Sequence, residues 1–345
     1  MLDIFLRLLL VLPALVTAAV LALAAHEAGH VLGARLGGFT LRMFAAGPVK
    51  MLKDDRGDWH IQRASTLGEV GGFVIATPTR TQRLRRSAML FAGGGPVASL
   101  ILGIVAIAFY QVLGLGAYRW STHGAWMAVC AGMYTLGVTS MGLAAVTGIP
   151  YVAAGLSSDG RRVLLLARGG PLAERHSAVM AMSGWFATGQ SGAWDPVTVE
   201  RALAAGDDGT LDAVLARYLA YLHALDTQDT ADAGAHIGVL RDGVDAAPPS
   251  LRPVIYAEAA YYSAAYRGDA RAARALLERA TQSPVLDSHT RRRAEIAVLL
   301  AGEDPPAGRE RLRELLADLA VSRTSFGSTF LIAELRRLSH EPWNG

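Results

Sequence analysis

Three long apolar stretches dominate the first half of the chain, and a charged, finely alternating pattern fills the second half. Leu8 to Ala25 holds 18 residues without a charge, Ser87 to Tyr118 holds 32, and Gly124 to Ser158 holds 35. A helix of about 20 apolar residues crosses a hydrocarbon core of ~30 Å. The pattern therefore predicts membrane helices over about 5–34, 87–114 and 124–147, with a small β or re-entrant segment within 37–80. After Arg168 the pattern changes to short, Ala-rich amphipathic helices separated by Gly, Pro and Asp. The expected fold is mainly α: a polytopic membrane core of about three helices, residues 1–168, followed by a soluble α-helical domain, residues 169–345.

Inside that domain, Tyr261 to Asp269, with Ala273, Leu277 and Ala280, resembles one tetratricopeptide unit. Gly302 and Ala307 recur 34 residues after Gly268 and Ala273, the period of such repeats. A stacked helical domain commonly recruits a protein partner, or it shields what lies beside it.

Charge orients the membrane core. The Arg35–Arg86 segment carries ten Lys or Arg against four Asp or Glu, whereas Arg119–His123 contains one Arg. Positive loops stay in the cytoplasm, so both the basic loop and the C-terminal domain are expected there. Span parity places the end of the first helix, the start of the second and the end of the third on one membrane face. Arg83, Arg85 and Arg86 read as headgroup-facing anchors. Ala22-Leu23-Ala24 also imitates a signal-peptide cleavage site, but Asp3 and the two later spans favour a retained helix.

Candidate chemistry gathers on that one face. His26-Glu27-Ala28-Gly29-His30 closes the first span. Residues four apart share a helix face, so His26 and His30 can hold one Zn²⁺ while Glu27 serves as general base. Polar groups at lipid depth are costly and mark function. The second span opens Gly93-Gly94-Gly95-Pro96, where glycine permits close backbone approach and proline frees a carbonyl. Past Gly148-Ile149-Pro150 comes Ser157-Ser158-Asp159-Gly160. Asp159 is the candidate third ligand, although Ser158 or Asp159 could equally cap the short helix that follows.

These motifs together resemble the site-2 protease family of intramembrane zinc metalloproteases, over roughly Leu8 to Arg168. The resemblance implies Zn²⁺ as cofactor, His26, His30 and Asp159 as its ligands, and Glu27 as the base. It also implies substrate-positioning roles near Gly94, Gly95, Pro96, Ser99 and Thr147. The last two stand where the family often has Asn. Gly68-Glu69-Val70-Gly71-Gly72-Phe73 resembles the Gly-Gly stretch that edges towards the site in that family; Glu69 reads as an interfacial carboxylate, with approach to the metal as the alternative. The activity implied is endopeptidase cleavage of membrane-anchored proteins or peptides near the cytoplasmic face of a bacterial inner membrane. The competing expectation is an inactive membrane scaffold that recruits partners through residues 169–345.

The remaining composition narrows the field. The chain has 345 residues, 52% of them hydrophobic, and a formal net charge of +3; the pI is about 9.1 and the mean hydropathy +0.28. That combination suits a membrane protein with a soluble part. The basic loop accounts for the charge, and no aromatic-interleaved basic patch suggests nucleic acid. The single Cys130 excludes an intrachain disulfide and reads as a packing residue. The other seven histidines, among them His176 and His236, lack ligand spacing and read as surface or interfacial groups.

Overall fold

A computed structural model describes residues 2–53, 57–63, 71–79, 83–115, 124–153, 155–188, 195–283, 286–302, 304–321 and 328–340. Glu69 and the Arg119–His123 loop lie outside them. Helices α1 (Leu2–Leu36), α2 (Leu84–Leu115) and α3 (Gly124–Gly148) are the long apolar elements, and each is long and apolar enough to cross a membrane. Among the described residues, most of their apolar side chains are not buried within the protein, and Leu12, Ile101, Phe109 and Val146 are each more than half exposed. A helix apolar all round and unburied by protein has lipid as its natural solvent.

Helices α1 and α2 meet closely at small residues. A Cβ on Gly29 would lie 2.3 Å from the Gly94 carbonyl oxygen, and one on Gly94 would lie 2.1 Å from that of Gly29. Only two glycines let α1 and α2 approach so closely, and lipid, being as apolar as leucine, gives helices no hydrophobic reason to associate.

Between α1 and α2 the chain forms β1 (Phe39–Ala46), β2 (Val49–Lys53), β3 (Trp59–Arg63) and β4 (Phe73–Pro78), an antiparallel sheet in the order β3-β2-β1-β4. Beyond α3, two-residue strands β5 (Val152–Ala153) and β6 (Leu156–Ser157) pair in a short loop before α4 (Asp159–Arg168).

The remaining helices are α5 (Pro171–Thr188), α6 (Pro196–Leu203), α7 (Leu211–Asp226), α8 (Thr230–Asp242), α9 (Arg252–Arg267), α10 (Ala270–Thr281), α11 (Ser288–Ala301), α12 (Pro305–Val321) and α13 (Ser328–His340). They share one core with many alanines and the large side chains Tyr221, Leu222, Ile255, Tyr261 and Leu315. Asp residues cap several starts: Asp195, Asp229, Asp269 and Asp287 each accept a backbone N–H of the first turn, which satisfies donors that a helix leaves unpaired.

The chain divides into two compact units, Met1–Val152 with Ser157–Gly169, and Ala153–Leu156 with Gly170–Gly345. Two histidines depart from the surface role read from spacing. His176 and His236 are 8% and 7% exposed, and each meets a carboxylate, Asp212 at 2.8 Å and Asp232 at 3.2 Å. Pairing makes burial of an imidazole affordable, and the Asp212 partner lies 36 residues away, beyond the reach of a local pattern.

Candidate metal centre

The metal candidates come from two elements far apart in the chain. His26 and His30 project from one face of α1, four residues apart, as helical periodicity requires. Asp159 is the first residue of α4. The neighbouring Ser158 performs the capping: its hydroxyl accepts the Arg161 N–H at 3.2 Å and the Tyr151 N–H at 3.1 Å, and donates to the Ile149 carbonyl at 2.7 Å. The loop after α3 is thereby tied back on itself, and the Asp159 side chain is left free to face the histidines. Gly160 completes the approach, because a Cβ there would fall 1.8 Å from the Gly148 carbonyl oxygen.

The donor atoms converge. His26 Nε2 and His30 Nε2 are 3.3 Å apart, and Asp159 Oδ2 is 3.5 Å from the first and 3.4 Å from the second. Ligands bound at ~2.0–2.1 Å around a tetrahedral Zn²⁺ stand ~3.3 Å from one another. The triangle thus has the dimensions of one tetrahedral face, and two imidazoles with one carboxylate are a donor set that leaves a fourth position open. Among the described residues, this is the group of His, Cys, Asp and Glu side chains whose ligand atoms gather closely enough for a metal ion.

Each imidazole is oriented from behind. His30 Nδ1 lies 2.8 Å from the Phe91 carbonyl. A carbonyl only accepts, so Nδ1 donates, and in the neutral ring Nε2 carries the lone pair that a metal needs. His26 Nδ1 meets the Ser99 hydroxyl at 2.9 Å. Both partners belong to α2. Asp159 Oδ1 also lies 3.9 Å from the Arg162 guanidinium, a cation that favours the ionised carboxylate a metal needs.

Glu27, one position round the helix from His26, is 6% exposed and close enough to both histidines and Asp159 to interact with them electrostatically. Gly72, just before β4, packs against it: a Cβ on Gly72 would lie 2.6 Å from Glu27 Oε1. Gly72 therefore lies alongside Glu27.

The remaining residues singled out in sequence take distinct places. Gly95 faces the imidazoles, and a Cβ there would lie 2.3 Å from His30 Nε2 and 2.8 Å from His26 Nε2. Gly94 is a helix contact, as described above. Pro96 lies within α2 near Gly148, whose added Cβ would meet the proline ring at 3.7 Å. Thr147 donates to the Leu143 carbonyl of its own helix at 2.8 Å. Ser99 is fully buried behind His26. Sequence reasoning missed the Phe91 carbonyl, for which no side-chain signal exists, and it missed Arg85. That guanidinium binds the Leu166 and Ala167 carbonyls of α4.

A sequence model of peptidase family M50 matches residues 14–303. No curated protein matches the chain, and no solved structure does.

Proposed function

The chain belongs to peptidase family M50, the site-2 protease family of intramembrane metalloproteases, and on that premise we propose that it hydrolyses peptide bonds of membrane-anchored proteins or peptides at the His26–His30–Asp159 centre. The observation that carries the proposal is the convergence of three donor atoms with mutual distances of 3.3–3.5 Å beside a buried carboxylate, Glu27. Zn²⁺ in that triangle supplies Lewis acidity towards the scissile carbonyl and lowers the pKa of the attacking water.

The protein's own groups do the rest. Glu27 accepts the proton of the attacking water and passes it to the leaving amine. The Phe91 carbonyl's contact with His30 and Ser99's contact with His26 keep both lone pairs aimed at one point. The close glycine packing of α1 on α2 holds the centre within the helix bundle. A substrate helix must unwind before its peptide bond is accessible, since its carbonyls are engaged in the helical ladder, so Gly, Pro or Asn near the cut favours cleavage.

The basic Arg35–Arg86 segment supports a cytoplasm-facing centre, with the helices after Gly169 on the same side and suited to receive a protein partner. The test is cleavage of membrane-anchored reporters by the zinc-loaded full chain. Glu27→Gln is expected to keep its zinc and lose turnover, and His26→Ala to lose both. Undiminished cleavage by Glu27→Gln would falsify the assignment of the base. A scaffold role predicts instead that Glu27→Gln is silent and that removing 169–345 abolishes partner capture.

A further inference from the structure

Helix α2 braces each of the three candidate ligands. Phe91 and Ser99 touch the imidazoles directly; the support for Asp159 acts at the other end of α4. Arg85, in the first turn of α2, donates from Nε to the Leu166 carbonyl and from a terminal nitrogen to the Ala167 carbonyl at 2.8 Å. The last carbonyls of a helix lack intrahelical donors and form the negative end of its dipole, so a planar cationic fork is well matched to them. At the opposite end, Ser158 ties the loop and Gly160 rests on the Gly148 carbonyl. Asp159 therefore stands at the start of a ten-residue helix pinned at both ends within one compact unit.

We propose that Arg85 is a positioning residue for Asp159: by gripping the last turn of α4 it fixes the direction of that helix, and with it the place of the carboxylate in the donor triangle. The inference rests on reading Asp159 as the third ligand. Without the grip, the apolar packing of Val163 and Leu166 is left to resist a tilt of α4 about the Gly148–Gly160 contact. A functional site tolerates only about 0.5 Å or 10–20° of misalignment, so a modest tilt is enough to weaken the third bond while the histidine pair, carried by α1, keeps its geometry. Lysine at position 85 retains the charge but presents a single point of donors, and it cannot bridge two carbonyls with a rigid fork.

The experiment is a zinc affinity measurement by chelator competition on the full-length purified protein, with Co²⁺ absorption as a geometric readout. It compares wild type, Arg85→Ala, Arg85→Lys, Asp159→Ala and the Arg85→Ala/Asp159→Ala double variant. Arg85→Ala is expected to weaken zinc binding roughly 10- to 100-fold, the range seen when a group supporting a ligand is lost. Arg85→Lys should lose less and fold normally. In the Asp159→Ala background, Arg85→Ala should change nothing further, because the residue it positions is gone. Wild-type zinc affinity in both Arg85 variants overturns the proposal, and so does an equal loss with and without Asp159, which marks a general structural effect. Should Asp159→Ala alone leave zinc affinity intact, the ligand reading fails first and takes this inference with it.

Discussion

Ser99 is 73 positions from His26 in the chain, yet its hydroxyl lies 2.9 Å from His26 Nδ1 with no exposure to solvent. When Nε2 faces a metal, Nδ1 carries the proton and its N–H donates to the hydroxyl oxygen. Ser99→Ala removes that acceptor and leaves a buried N–H unpaired. Zinc affinity is expected to fall by roughly 10-fold or more with the helices intact, read by chelator competition beside circular dichroism. Ser99→Asn, which restores an acceptor at greater length, should recover part of the loss. Unchanged affinity in Ser99→Ala would show that the contact does not orient the ring.

The neighbouring glycines of α2 should fail in different ways. At Gly95 an added methyl meets imidazole atoms, 2.3 Å from His30 Nε2, so Gly95→Ala is expected to keep the membrane fold and lose metal. At Gly94 it meets the backbone of Gly29 at 2.1 Å, which cannot step aside, so Gly94→Ala should force α1 from α2 and lower stability as well. Thermal melting and zinc content measured on both variants separate the two outcomes.

A third prediction concerns the helical unit after Gly169. Arg175 is 1% exposed and its guanidinium meets Asp208 in a bidentate pair at 3.1 and 2.9 Å. Burial tends to raise the Asp208 pKa, but hydrogen bonds from Thr210 and the charge of Arg175 hold it below the ordinary value. A carboxylate with a depressed folded pKa contributes stability that is present above its unfolded pKa of about 4 and is lost as pH falls through the folded value. Asp208→Asn should therefore destabilise at neutral pH by about 1–3 kcal/mol, the cost of an unsatisfied buried donor. The difference from wild type should shrink on acidification below pH ~4. A gap that stays constant down to pH 2 would contradict it.

Orientation is tested without chemistry. Reporter fusions at Gly345 and within Arg119–His123 should report opposite sides of the membrane, with Gly345 on the cytoplasmic side. An external Gly345 would reverse the orientation and leave the shared plane of the three motifs untouched, since that plane follows from the number of crossings.

Sequence by itself determined the three apolar helices, because hydrocarbon thickness sets a length that composition either meets or does not, and it determined that His26, Glu27 and His30 occupy neighbouring positions on a helix, because the period of 3.6 is local. It offered Asp159 as a ligand and Ser158 or Asp159 as the cap of the next helix, and local preference alone leaned to the cap. Only the tertiary structure separated those roles, assigning the cap to Ser158 and turning Asp159 towards imidazoles some 130 residues earlier in the chain. The supports of the centre, Ser99 behind His26, the Phe91 carbonyl behind His30 and Arg85 at the far end of α4, were not legible as such. One is a small hydroxyl residue in an apolar helix, one is backbone, and one is an arginine indistinguishable by pattern from its neighbours Arg83 and Arg86. Each acquires its role through helix packing at glycine contacts, and the distances that decide such packing are a property of the folded chain.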